Sequence, residues 1–151
     1  MRISKVANNI VHENYPLIQE LIKSKKVKSK IISLLLIEKH FTNNSKRIVE
    51  YILLYFFILL KSKKRDEITI GIGQLKFKHW MKYYPKNNPS IFSIISLTEN
   101  PIENYNAIEN FLDDNIFLTE ERIATIYVGE NRKYYFELYK SIIKEITSSN
   151  N

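Results

Sequence analysis

Glu38 closes an oily stretch, residues 31–37, in which Ser33 is the only polar member. A carboxyl set beside Leu34, Leu35 and Ile37 has its charged form penalised by a poorly solvating environment. Its pKa rises, and it can hold a proton near neutral pH and hand it over. The second stretch with chemical potential is Gly71-Ile72-Gly73-Gln74, which contains two of the three glycines in the chain. Glycine reaches positive backbone angles and lets another chain come close, so Gly71 and Gly73 can build a turn that faces a ligand.

The elements that must position these groups are mostly helical. Residues 3–13 read as a short helix. Pro16 suits the first turn of a second one running to about Lys25, with Leu17, Ile18, Leu21 and Ile22 inward. Residues 28–40 are too apolar for a surface helix and must be buried. Thr42, Asn43 and Asn44 break that pattern, and Ser45 is the expected cap for a helix over residues 46–60. The β-branched Ile68, Thr69 and Ile70 predict a short strand that turns tightly at the glycines. Helix is expected again over residues 74–84, with Leu75, Phe77 and Trp80 packed inside. Pro89 opens a helix through Ile91 and Leu97, and Asn100-Pro101 opens one through Tyr105, Ile108 and Phe111. Thr119, followed by Glu120 and Glu121, marks a further cap. Residues 133–146 form the last amphipathic helix, with Tyr135, Leu138, Ile142 and Ile146 inside.

The chain has 151 residues, 44% of them apolar, which is enough for one domain with a real core. No cysteine is present, so disulfides and thiol chemistry are excluded. His12, His40 and His79 show no zinc-ligand spacing, and no metal is expected. The formal charge of +7 is uneven. Residues 1–100 hold 18 Lys+Arg and 7 Asp+Glu, net +11, while residues 101–151 hold 5 and 9, net −4. The basic part, with lysines at 23, 25, 26, 28 and 30 and a second group at 61–65, suits a polyanion. Residues 1–9 lack the apolar core of a signal peptide, which leaves the localisation unknown: cytoplasmic, or exported by a non-classical route. Residues 48–60 are strongly apolar but only 13 long and include Glu50. A bilayer span needs about 20 residues, so a central buried helix is expected there instead of a transmembrane one.

The order of the pieces resembles the lysozyme-like superfamily, above all soluble lytic transglycosylases and goose-type lysozymes. The matching pieces are Leu35-Leu36-Ile37-Glu38, Gly71-Ile72-Gly73-Gln74, Asn100-Pro101-Ile102-Glu103-Asn104 and residues 123–129 around Tyr127, within about residues 30–145. Lys39 stands where that family usually has serine, and Val128 where it has asparagine. An additional apolar helix separates Glu38 from the glycine turn. The resemblance implies a mainly α, single-domain, lysozyme-like fold with a short β-hairpin or strand-turn near residues 66–73. It implies a peptidoglycan-cleaving glycosidase, muramidase or lytic transglycosylase, that cuts the MurNAc–GlcNAc β-1,4 bond with Glu38 as general acid and then base. A transglycosylase needs no second carboxylate, because the sugar's own 6-hydroxyl attacks. A hydrolase would use one, and Asp66 and Glu67 are the candidates, with Glu50 behind them. Thr69, Gly71, Gly73 and Gln74 would line the sugar cleft, and Tyr127 would approach Glu38. No cofactor is implied; the partner is a glycan strand, with anionic wall polymer on the basic face.

Two rival readings use the same residues. In one, a non-catalytic basic helical protein binds nucleic acid through the lysine groups. The basic face would equally suit an anionic membrane surface. In the other reading, residues 48–60 serve as a hairpin inserted at a membrane surface or as a partner's docking helix.

Overall fold

Apolar residues recurring at helical spacing build most of the chain, and the computed structural model describes residues 2–24, 27–84, 89–115 and 132–149. The protein is mainly α, with a small two-stranded antiparallel sheet. It divides into two compact units, one made of Met1–Ile37 with Leu112–Asn151, the other of Glu38–Phe111.

In the first unit, α1 (Ile3–Glu13) buries Val6, Ala7, Ile10 and Val11, which share one face. Asn14 ends it: its backbone N–H and its side-chain amide both donate to the Ile10 carbonyl, at 3.2 and 2.8 Å. The Asn14 carbonyl then accepts from Ile18, which starts α2 (Tyr15–Ser24) with Pro16 in its first turn. Leu17, Ile18 and Leu21 face inward as expected, while Ile22 is only half-buried. The long C-terminal helix, α8 (Arg132–Ser149), packs along α1 and buries Tyr135, Leu138, Tyr139, Ile142 and Ile146. α3 (Ser29–Phe41) has no polar face over Ile31–Ile37, and all of those residues are buried, as a helix apolar on every side must be.

The second unit starts at Glu38, in the last turns of α3. The next helix, α4 (Asn44–Leu59), is capped by Asn43 and not by Ser45: the Asn43 side chain accepts from the Lys46 N–H at 2.8 Å. Asparagine and serine are equally good caps, and the position three residues before the free N–H decided between them. α4 ends in a Schellman motif, in which the Lys61 N–H donates to Ile58 and the Ser62 N–H to Phe57. That motif needs a left-handed residue, and Lys61 supplies it at φ 50°. Lys61→Gly is therefore expected to stabilise the protein by about 0.5–1 kcal/mol, read as a higher urea midpoint; an unchanged or lower midpoint refutes the strain.

α4 also corrects an expectation. Its run of apolar residues is not a central buried helix: Tyr51 and Leu54 are buried, but Ile48, Ile52, Phe56 and Leu59 are exposed. Hydropathy says that a helix can be buried; which of its faces finds a neighbour is settled by the elements around it.

After the 3-10 turn Lys63–Glu67 the chain enters a hairpin of β1 (Thr69–Ile70) and β2 (Leu75–Lys76), with Thr69 opposite Lys76 and Ile70 opposite Leu75. The hairpin thus spans residues 69–76 and extends past the expected 66–73. Helix begins only with α5 (Phe77–Tyr83), because Leu75 and Lys76 are used in strand pairing and the Phe77 N–H donates to the Ile68 carbonyl at 2.8 Å. α6 (Ile91–Thr98) is capped by Ser90, and α7 (Pro101–Asp114) by Asn100, whose side chain accepts from Ile102 and Glu103. The cap expected at Thr119 lies outside the described residues, as do residues 123–129 with Tyr127.

Candidate functional site

The hairpin loop Gly71–Gln74 is held from below by the junction of α6 and α7. The Ile72 N–H donates to the Thr98 carbonyl at 3.2 Å, and the Gly73 N–H to the Asn104 side-chain oxygen at 2.8 Å. Asn104 is fully buried, and its amide donates to the carbonyls of Thr98 and Asn100, both at 2.7 Å. One side chain therefore ties the loop to two turns of backbone. Gly71 takes φ 78° and leans on Thr98 so closely that a Cβ there would lie 2.4 Å from the Thr98 carbonyl oxygen. Both glycines serve a close backbone approach, as the sequence indicated, but the surface they approach is the protein's own.

Gln74 is the loop's polar tip. Its backbone is left-handed, φ 49°, a conformation that glycine would adopt without strain. The side chain is where its value lies. The Gln74 amide donates to Glu50 Oε2 at 2.9 Å and to the Gly71 carbonyl at 3.1 Å. Its oxygen lies 3.2 Å from the Thr69 hydroxyl and 3.4 Å from the Lys46 ammonium. The Thr69 hydroxyl is also 3.1 Å from Glu50 Oε1, so its single proton serves two acceptors. The left-handed backbone is retained for a buried side chain that meets Glu50, Gly71, Thr69 and Lys46, so Gln74 fastens the hairpin to α4.

Glu50 is the carboxylate that the hairpin grips. Its side chain is 12% exposed, and Lys46, one turn earlier on α4, places an ammonium 3.6 Å from Oε1. Hydroxyl, amide and ammonium are all donors, and a carboxylate is an acceptor at both oxygens, so the group is fixed in orientation. The sequence ranked Glu50 behind Asp66 and Glu67. The signal that could have promoted it is a lone carboxyl inside an apolar helix, which has to find partners or forfeit burial.

The other acidic candidates lie elsewhere. Asp66 and Glu67 sit in the 3-10 turn before β1, and Asp66 is 3.7 Å from Arg65. Glu67 is exposed and takes the ammonium groups of Lys76 and Lys78 at 2.6 and 2.7 Å. Those hydrogen bonds hold its carboxyl down at about 2. Glu38 is buried, 7% exposed, near the end of α3, where its carbonyl accepts from the Thr42 N–H at 2.9 Å. The structure brings Glu50, Thr69, Gly71, Gly73 and Gln74 together, and Tyr127 falls outside the described residues.

Beside this cluster runs a second polar network. Arg47 donates to Glu99 Oε2 at 2.8 Å, and the Tyr51 hydroxyl donates to Glu99 Oε1 at 2.8 Å while lying against the Thr98 hydroxyl. Burial first, and then Glu99 as acceptor and charge, hold the Tyr51 phenol well above its ordinary value. This network fastens α4 to the end of α6, so Glu50 and the Thr98 carbonyl under the loop are set by the same helices.

No family model matches the chain, and neither a curated protein nor a solved structure does.

Proposed function

We propose that this protein cleaves the glycan strand of peptidoglycan, with Glu38 as proton donor and Glu50 as the second carboxylate. The observation that carries the reading is the grip on Glu50 by Thr69 and Gln74 at a double-glycine hairpin. Cleavage of a glycosidic bond passes through a transition state with positive charge on the sugar ring, and a fixed carboxylate stabilises that charge best when its orientation is set beforehand. Thr69 and Gln74 provide the setting, and they belong to the loop that the lysozyme-like resemblance assigns to the sugar cleft. Glu38, buried at the end of α3, is the group the same resemblance assigns to protonating the leaving oxygen.

Purified peptidoglycan incubated with the protein, followed by mass spectrometry of the soluble fragments, tests the reading. Wild type is expected to release disaccharide-peptide fragments, and Glu38→Gln and Glu50→Gln to slow release by about 100-fold or more each. Anhydro ends on the fragments identify a transglycosylase, reducing ends a hydrolase. Wild type that releases nothing, or two variants as fast as wild type, would end the proposal. Loss in Glu50→Gln alone would move the acid role from Glu38 to Glu50.

A further inference from the structure

The most conspicuous feature that glycan cleavage leaves unused is the outer face of α4. Ile48, Ile52, Leu53, Phe56, Leu59 and Leu60 are all more than two-fifths exposed, and Leu60 reaches 72%. At 3.6 residues per turn they share roughly 140° of the helix surface, opposite Leu54 and Glu50. Across a groove of about 680 Å³ stand Ile91, Ile95 and Phe92 of α6, and Phe92 is 81% exposed. A surface of this extent on a folded chain marks an interaction site.

The charges around it select the occupant. Lys61, Lys63 and Lys64 stand exposed just beyond the C-terminal end of α4, whereas Lys46 and Arg47 in its first turn are paired with Glu50 and Glu99. Residues 38–111 as a whole hold 11 Lys+Arg and 7 Asp+Glu, net +4. A second copy laid on this face with its α4 parallel would oppose these lysines to their own counterparts. An anionic lipid surface meets both demands: acyl chains cover the apolar face and fill the groove, while headgroup phosphates meet the lysines. Spanning is not required, and among the described residues no helix is long and apolar enough to cross a membrane.

We infer that α4, with Phe92 beside it, docks on an anionic bilayer and lies in the plane of its interface. The inference is independent of the glycan reading, since it rests on other residues and on a readout without catalysis. Its test is flotation of the full chain with phosphatidylglycerol/phosphatidylcholine vesicles and with phosphatidylcholine alone, beside size-exclusion chromatography over a range of protein concentrations. The protein should float with the anionic vesicles, and less so as salt is raised. The exposed-site double variant Leu53→Asp/Phe56→Asp should weaken vesicle binding about tenfold or more. Lys63→Glu/Lys64→Glu should weaken it by a similar factor with the apolar face intact. Lys144→Glu, exposed on α8, should bind as wild type does. The inference is overturned if wild type stays with neither vesicle, or if both double variants bind undiminished. It is also overturned if the chain self-associates and Leu53→Asp/Phe56→Asp abolishes that association while vesicles bind nothing, since a second copy then covers the face.

Discussion

Gly71→Ala is expected to destabilise the second unit by about 2–5 kcal/mol, from two separate costs. The left-handed backbone at φ 78° disfavours any β-carbon, at about 1–2 kcal/mol. The new methyl would also stand 2.4 Å from the Thr98 carbonyl oxygen and 2.9 Å from Thr98 Cβ, and backbone cannot swing away as a flexible side chain can. Relief requires lifting the loop off Thr98, which breaks the Ile72 N–H bond to that carbonyl and carries Gln74 away from Glu50. The proposed glycan cleavage should fall with stability. Gly73→Ala is the internal comparison. A Cβ there meets Ile108 Cδ1 at 2.9 Å, the mobile end of a side chain, so a milder cost of about 1–2 kcal/mol is expected. Urea denaturation of the two variants checks the order, and equal midpoints would mean that Thr98 does not set the loop's position.

Asn104→Asp should be nearly as severe, although it changes the side chain by one atom. The Asn104 amide donates to two carbonyls, and the oxygen that replaces its nitrogen can donate to neither when ionised. A buried anion would then face two carbonyl oxygens, at a cost of about 3 kcal/mol. The sign of the pH dependence follows from the same contacts. Burial and the carbonyls disfavour the charged form, so the new aspartate's folded pKa lies above its unfolded value. Stability relative to wild type is then greatest below the unfolded pKa and is lost as pH rises through the folded one. The gap between variant and wild type should narrow when melting is compared at pH 7 and pH 4. A gap that is constant across that range would show that the Asn104 amide protons are not what holds the loop.

The helical framework was legible because its signals are local. Leu17 with Leu21, Leu138 with Ile142, Pro16, Pro89 and Asn100-Pro101 each act within one or two turns of the chain, and α2, α6, α7 and α8 lie close to where those signals place them. The same holds for Ile68, Thr69 and Ile70 before Gly71. Ser45 failed as a cap because Asn43 offered the same chemistry two residues earlier. The expectation for Gln74–Lys76 failed because a strand of two residues exists only through its partner, which periodicity within one segment does not reveal.

Residue order by itself determined a mainly helical chain, a basic first two-thirds and a glycine turn after a β-branched run, since those properties depend on neighbours in sequence. Tertiary structure alone decided which carboxylate meets that turn and which side of α4 stays bare. Glu50 finds Thr69 and Gln74 across 19 and 24 residues, and the outer face of α4 is exposed because none of the described elements covers it. Contacts at that separation are fixed by how helices and hairpin pack together, and a one-dimensional pattern of apolar and charged residues does not encode which partners they meet.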